Sequence, residues 1–263
     1  VAPNSEGHYW HPESLRGRRV IVTGAARGVG LGISAALLER GAAVLLVDRN
    51  PAVADVAAGF AAAGHQALHL EADLCEHSSY QRIVDNAVAR LGGVDALVNN
   101  AIATNEPKPF GEITMDDFDL VFDTGPRATF FLMQAAYPIL KAAGGGSIVN
   151  FGSGSGTGGQ KTFGAYAGAK EAIRGISKVA ALEWGADNIR VNVVCPFANS
   201  DGVANWSADF PDVYNKVVKG IPLRRIGDTH TDIGAMVAFL VSADASYLTA
   251  QTIHVDGGTG TFR

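Results

Sequence analysis

Tyr166 and Lys170 stand four residues apart in the stretch Gly164-Ala165-Tyr166-Ala167-Gly168-Ala169-Lys170. On a helix that spacing puts both side chains on one face. A free phenol, with a pKa of about 10, is too weak an acid to serve as an efficient base at neutral pH. An ammonium beside it favours the phenolate and lowers that value. Ser153 precedes the tyrosine by thirteen residues and follows the apolar run 147–150. Its hydroxyl is placed to hydrogen-bond an oxygen on which charge builds. Together the three side chains suit proton transfer to or from an alcohol or carbonyl oxygen. Each also has an ordinary reading, as a helix-surface contact or a turn serine within Gly152–Gly159.

A second constellation lies near the start. The apolar run Val20-Ile21-Val22 ends in Thr23-Gly24-Ala25-Ala26-Arg27-Gly28-Val29-Gly30, and a helical pattern follows at once. Glycines between a strand and a helix permit a tight turn and close approach of backbone to a pyrophosphate. The free N–H groups and dipole of the helix start favour that anion. The spacing is G-x-x-x-G-x-G rather than the commoner G-x-G-x-x-G. Eighteen residues after Gly30 a second apolar run ends in Asp48, where an acidic side chain accepts hydrogen bonds from the adenosine ribose. Asp48 repels a 2′-phosphate and favours NAD over NADP, although Arg27 and Arg49 pull the other way.

The elements that must position these groups follow from periodicity. Apolar runs at 20–22, 43–47, 67–70, 96–98, 147–150, 189–194 and 251–255 read as strands. Helical patterns cover about 29–40, 51–64, 78–91, 114–123, 127–142, 164–185 and 229–242, whereas 197–226 carries no strong period. Strands without polar alternation, interleaved with helices, predict an α/β fold: a single-domain, Rossmann-like, doubly wound parallel β-sheet with helices on both faces. The domain is expected over 18–263, with 1–17 a surface extension pinned by Tyr9 and Trp10.

Of the 263 residues, 47% are hydrophobic and 18% charged, so a large core is expected and disorder is not. The net charge of −5, with no basic cluster, makes nucleic acid and anionic membranes poor partners. Cys75 and Cys195 fit no metal spacing and are expected to be reduced thiols in a cytoplasmic protein, with Cys195 a core thiol rather than a nucleophile. No metal site is expected. No apolar run reaches the roughly 18–20 residues of a membrane span. The first residues lack the basic and apolar regions of a secretory signal.

In the order and spacing of these motifs, nearly the whole chain from about Leu15 resembles the short-chain dehydrogenase/reductase family in its compact form. Beyond the glycine turn the resemblance includes Ala72-Asp73-Leu74, Asn99-Asn100-Ala101, Ser153, the Y-x-x-x-K of Tyr166 and Lys170, and Val255-Asp256-Gly257-Gly258. It implies a hydride transfer between NAD(H) and a secondary alcohol or ketone. Ser153, Tyr166 and Lys170 would be catalytic, with Lys170 also holding the nicotinamide ribose. Around the cofactor it implies Gly24, Arg27, Gly28, Val29 and Gly30 at the pyrophosphate and Asp48 and Arg49 at the ribose. Asp73 and Leu74 would meet the adenine, Asn99 would steady the central sheet and cofactor, Asn100 and Ala101 would bind the cofactor, and Pro196 and Phe197 would lie by the nicotinamide. It further implies a homodimer or homotetramer, the tetramer being expected, built through the helices around 114–143 and 164–185 and the last strand.

Four positions depart from the family pattern. Gly125 stands where a fourth catalytic residue, an asparagine, is usual; that residue acts largely through its backbone carbonyl, which holds a water linking the lysine to solvent. Pro126 lacks an N–H and is expected to kink the helix and free the Phe122 carbonyl, preserving such a relay. Ile102 replaces a glycine, and Pro196-Phe197 replaces P-G, with Asp201 where a threonine is expected. The backbone of Phe197 and Ala198 is left to contact the carboxamide.

The stretch 197–222 is expected to form a substrate lid. Ile102, Ser153, Phe163, Phe197, Trp206 and Phe210, with Tyr214, would line an apolar pocket for a bulky or cyclic small-molecule alcohol or ketone. Two other readings stay open: a non-catalytic dinucleotide-binding redox sensor, and a non-redox relative on the same scaffold. Gly24, Gly28 and Gly30 argue against the halide-releasing relatives, which lose these glycines.

Overall fold

The computed structural model describes residues 13–260. Its first half runs β1 (Arg19–Thr23), α1 (Gly28–Glu39), β2 (Ala43–Asp48), α2 (Val53–Ala62), β3 (Ala67–Glu71), α3 (Ser78–Leu91) and β4 (Ala96–Asn99). After a long loop come α4 (Met115–Phe122), a π-helical turn (Asp123–Arg127), α5 (Ala128–Ala142), β5 (Gly146–Phe151), the short α6 (Gly154–Gly158) and α7 (Gly164–Trp184). The chain finishes with β6 (Ile189–Pro196), α8 (Asp201–Asp209), α9 (Pro211–Gly220), a second π turn (Thr229–Gly234), α10 (Ala235–Val241) and β7 (Thr252–Val255).

The seven strands form one parallel sheet in the order β3-β2-β1-β4-β5-β6-β7. Alternate strand residues go to opposite faces, and here both faces are covered. Val20, Val22, Val44, Leu46 and Val98 pack with Ile33 and Leu37 of α1 and Val237 and Leu240 of α10. Ile21, Leu45, Leu97 and Ile148 pack with Ile83 of α3, Leu132 and Leu140 of α5 and Ala180 of α7. Each such fully buried aliphatic contributes roughly 1.5–3 kcal/mol, which explains why the strands read as unbroken apolar runs. The strand order reverses between β1 and β4, so the crevice beyond their carboxyl ends is where a ligand belongs.

Three expectations are corrected. Residues 1–12, with Tyr9 and Trp10, lie outside the described residues, but Leu15 is fully buried and its N–H donates to the Arg40 carbonyl. The core therefore starts inside the expected surface extension. At Pro126, where a kink is expected, the chain forms a π turn: the Ala128 N–H reaches back five residues to the Asp123 carbonyl, and the wider turn accommodates the missing N–H between α4 and α5. The stretch 197–222 holds two helices where no period was legible. They are short, 9 and 10 residues, and meet at Phe210, whose φ of −134° and ψ of 62° leave the helical region before Pro211 starts the next.

The second π turn and α10 lie close along α1. A Cβ on Gly32 would meet the Thr229 carbonyl carbon at 2.5 Å, and one on Gly234 the Ala36 Cβ at 2.6 Å. Gly175, exposed on α7, has nothing within 4 Å. Gly32→Ala is expected to destabilise the fold by about 2 kcal/mol or more, because rigid backbone must move. Gly175→Ala should be neutral or stabilising by up to about 1 kcal/mol. Urea unfolding of the two variants checks both signs.

Candidate active site

At the end of β1 the chain turns through Gly24 at φ +67° and Gly28 at φ +55°, values that favour glycine. Gly30 is needed for a different reason: a Cβ there would collide with the Gly24 carbonyl oxygen and lie 2.7 Å from Asn100 Nδ2. The α1 that follows has no side-chain N-cap bond and no acidic residue in its first turn. Its first N–H groups are thus offered to an anion, and Val29 packs beneath the turn on the core. This cradle, which a single Cβ would fill, fits a dinucleotide pyrophosphate.

Asp48 ends β2 beside that turn. Its Oδ2 accepts from the Ala26 N–H at 3.0 Å and its Oδ1 from the Asn50 N–H at 2.9 Å, which fixes the carboxylate at the rim of the turn. Arg27 and Arg49 are exposed on either side. Asp73 Oδ1 accepts from the Cys75 N–H at 2.9 Å, and the Leu74 side chain turns into the core.

Polar residues lace the strand ends across the switch point. The Asn100 and Ala101 N–H groups both donate to Thr23 Oγ1 at 3.1 Å, and Asn100 Nδ2 donates to the carbonyls of Thr23 and Gly24. Asn99 Nδ2 donates to Asn150 Oδ1 at 2.8 Å, and Asn150 Nδ2 to Ser177 Oγ at 2.8 Å. Asn99, the residue expected to steady the sheet, ties β4 through β5 to α7, and Asn100 ties β4 to the glycine turn.

Ser153, Tyr166 and Lys170 come together at the carboxyl end of β5. Ser153 is extended (φ −160°) at the start of α6, where its Oγ accepts from the Ser155 N–H at 3.1 Å. It lies near enough to Tyr166 to pull that phenol's pKa downward. Lys170 is only 3% exposed; its Nζ donates to the Phe151 carbonyl at 2.9 Å and lies 5.5 Å from the centre of the Tyr166 ring. The ammonium thus faces the ring rather than the hydroxyl, and the expected depression of the tyrosine is not what results. Burial pushes Tyr166 above its ordinary value, and Ser153 pulls it partway back. Burial also lowers Lys170 to about 8.

Phe163 meets Tyr166 edge-on at 6.1 Å between ring centres, and Ile102 packs into the same small apolar cluster as Tyr166. Trp206 packs edge-on against Tyr214 at 5.6 Å, and Phe210 is 57% exposed. The Phe197 N–H donates to the Val255 carbonyl and its carbonyl accepts from the Gly227 N–H. The amide expected to contact a carboxamide is therefore engaged within the protein, because β6 continues its pairing with β7 through Pro196. Cys195 is buried with its thiol pushed up to about 11, chiefly by burial, so it is unsuited to nucleophilic work.

Sequence reasoning missed Thr23, Asn150, Thr124 and the Phe151 carbonyl. Thr23 and Asn150 share one signal, a polar residue at or near the carboxyl end of an apolar run. Thr124 and the carbonyl had none, since both act through tertiary placement.

Comparison with known proteins agrees with this geometry. Residues 24–260 match a family model described as enoyl-(acyl carrier protein) reductase. A 12α-hydroxysteroid dehydrogenase from Clostridium sp. is 39% identical over 255 residues, covering 93% of this chain and 97% of that protein. The solved structure of a candidate short-chain alcohol dehydrogenase from Sinorhizobium meliloti has a TM-score of 0.88 at 35% identity, covering 95% of this chain and 98% of that one. That of a candidate NAD(P)-dependent gluconate 5-dehydrogenase from Beutenbergia cavernae, with NADP bound at low occupancy, has a TM-score of 0.88 at 30% identity, covering 95% and 99%. The chain belongs to the short-chain dehydrogenase/reductase family, oxidoreductases that use a nicotinamide dinucleotide.

Lys170 makes stability depend on pH in a definite sense. Its folded-state pKa of about 8 lies below that of an unfolded lysine. Between the two values the unfolded chain binds more protons, and stability rises with pH. From pH 8 to 9 the gain relative to Lys170→Met should be about 1 kcal/mol; the Cys195 thiol, raised in the folded state, opposes it in this range but is common to both proteins and cancels. Urea titrations of the cofactor-free proteins at both pH values measure it.

Proposed function

We propose that the chain is an NAD-dependent dehydrogenase of secondary alcohols, running as a ketoreductase in reverse, on substrates with a bulky or cyclic apolar group. The observation that carries this reading is the convergence of Ser153, Tyr166 and Lys170 beside the glycine cradle. The hydride chemistry belongs to the dinucleotide when bound. The chain's own residues handle the oxygen and its proton. Ser153 Oγ donates to the substrate oxygen; Tyr166 Oη gives up its proton as the phenol in reduction, becoming phenolate, and the phenolate takes the alcohol proton in oxidation. Lys170 holds positive charge against the face of the tyrosine and, with the cofactor present, binds its nicotinamide ribose.

For NAD, the support is the fixed carboxylate of Asp48 at the ribose position, which a 2′-phosphate would face at contact distance. Exposed Arg27 and Arg49, and the NADP in the Beutenbergia structure, favour the second reading, NADP. For the substrate, Phe163 and Ile102 beside Tyr166 supply apolar walls. The similarity to a 12α-hydroxysteroid dehydrogenase makes a hydroxysteroid the first compound to try. Within the same reading the protein acts in the cytoplasm and assembles as a homotetramer or homodimer. Exposed Phe118 on α4, Phe130 on α5 and Val179 and Leu182 on α7 support that assembly.

An absorbance assay for NADH with a panel of hydroxysteroids, cyclic alcohols and ketones tests the reading. Turnover is expected with NADH, and Tyr166→Phe should lower kcat by roughly 10²–10⁴-fold with NADH affinity retained. Absence of turnover across the panel, with NADH bound, would point to a sensor instead. Asp48→Ala should shift the NADPH-to-NADH ratio of kcat/KM upward by about tenfold or more, since it removes the repulsion. An unchanged ratio would sink the NAD assignment.

A further inference from the structure

Gly125 is buried in the first π turn, and the space beside it is taken. A Cβ built on it meets Ile102 Cδ1 at 2.8 Å and Cγ1 at 3.4 Å, with Ala169 Cβ at 3.9 Å. Ile102 reaches this place from the loop after β4, and that loop is fastened to the turn. The Ala103 N–H donates to Thr124 Oγ1 at 2.9 Å, and Thr124 Oγ1 donates to the Leu120 carbonyl at 2.7 Å. Ile102 packs with Tyr166 on Val121, Ala165 and Ala169, the last two from the helix that presents the tyrosine. One isoleucine therefore fills the volume that a side chain at 125 would need and presses on the helix face carrying Tyr166. Cδ1 is the movable end of a partly buried side chain, so a methyl at 125 displaces Ile102 rather than backbone, and the shift is passed to the helix face on which Ile102 packs.

We propose that Ile102 and Gly125 are a size-matched pair, and that Ile102 is a positioning residue which sets how α7 presents Tyr166 to the substrate oxygen. The proposal rests on the reading of Tyr166 as acid/base. It makes the two sequence departures one feature, because the bulk absent at 125 is supplied from 102. It also places hydrocarbon, rather than a polar side chain, on this side of the tyrosine.

A double-mutant cycle tests it on the full chain. Gly125→Ala adds the methyl that meets Cδ1, and Ile102→Val removes Cδ1. Each protein is assayed for kcat and KM, NADH affinity by fluorescence, and thermal midpoint. Gly125→Ala should lower kcat about tenfold with NADH affinity within about twofold. The double variant should recover to within about threefold of the wild type, which additive effects would not allow. A double variant no faster than Gly125→Ala, or Gly125→Ala at the wild-type rate, overturns the proposal. So does coupling confined to the thermal midpoint, which would make the pair a packing contact only. A wild type inactive on the whole panel overturns the underlying reading of Tyr166 and the proposal with it. That failure is recognisable because recovery of the midpoint in the double variant would still register the size match.

Discussion

Lys170 brings an ammonium to a site that is 3% exposed and holds it by a hydrogen bond to the Phe151 carbonyl. Removing a cation from water is costly, and the depression of its pKa records that cost. Much of the surrounding structure follows from keeping the charge in place. Helix α7 must lie close on the sheet, which small residues such as Ala169, Ser177, Ala180 and Ala181 permit. Gly152 must stay bare, because a Cβ there would sit 2.7 Å from Cys195 Sγ and 3.5 Å from the Arg174 side chain. The chain of amides from Asn99 through Asn150 to Ser177 then pins the helix to β4 and β5. Tyr166 is presented one turn above the ammonium as a consequence of that docking.

The sheet was legible because burial on both faces leaves a local trace: Val20-Ile21-Val22 and Ala43–Val47 cannot afford a polar residue on either side. The glycine turn, Asp48, Ser153, Tyr166 and Lys170 were legible because their spacing relative to strand and helix ends is itself the constraint. The π turn was not, since a proline in a helical pattern signals a kink unless the tertiary setting widens the turn instead. Nor were α8 and α9, each too short for a period to build up before Phe210 interrupts it. The direction of the Tyr166 shift was hidden for another reason. Spacing places the lysine on the same face, but only the packing shows the ammonium against the ring and the hydroxyl in a dry setting.

Two expectations about backbone groups met the same limit. Phe197 was left to offer its amide because its side chain had replaced a glycine, yet β7 claims that N–H through Val255. At Pro126 the backbone takes up a π turn rather than an ordinary helical one, and the carbonyl that Lys170 meets lies in β5. Backbone hydrogen bonds depend on which strand or turn arrives alongside, information that lies far away in the chain. Side-chain chemistry travels with the residue and is easier to read.

The close fit of α1 against residues 229–236 has a consequence for how the molecule comes into being. The nucleotide turn and its helix are made from residues 24–39, but the backbone that meets Gly32 belongs to Thr229 and the side chain that packs on Leu37's core belongs to Val237. During synthesis the first βαβ units leave the ribosome long before that brace exists. Contacts separated by some two hundred residues also slow a two-state search for the native topology. The nascent N-terminal half must therefore wait with one flank of α1 uncovered, and such exposed apolar surface is where misassembly begins.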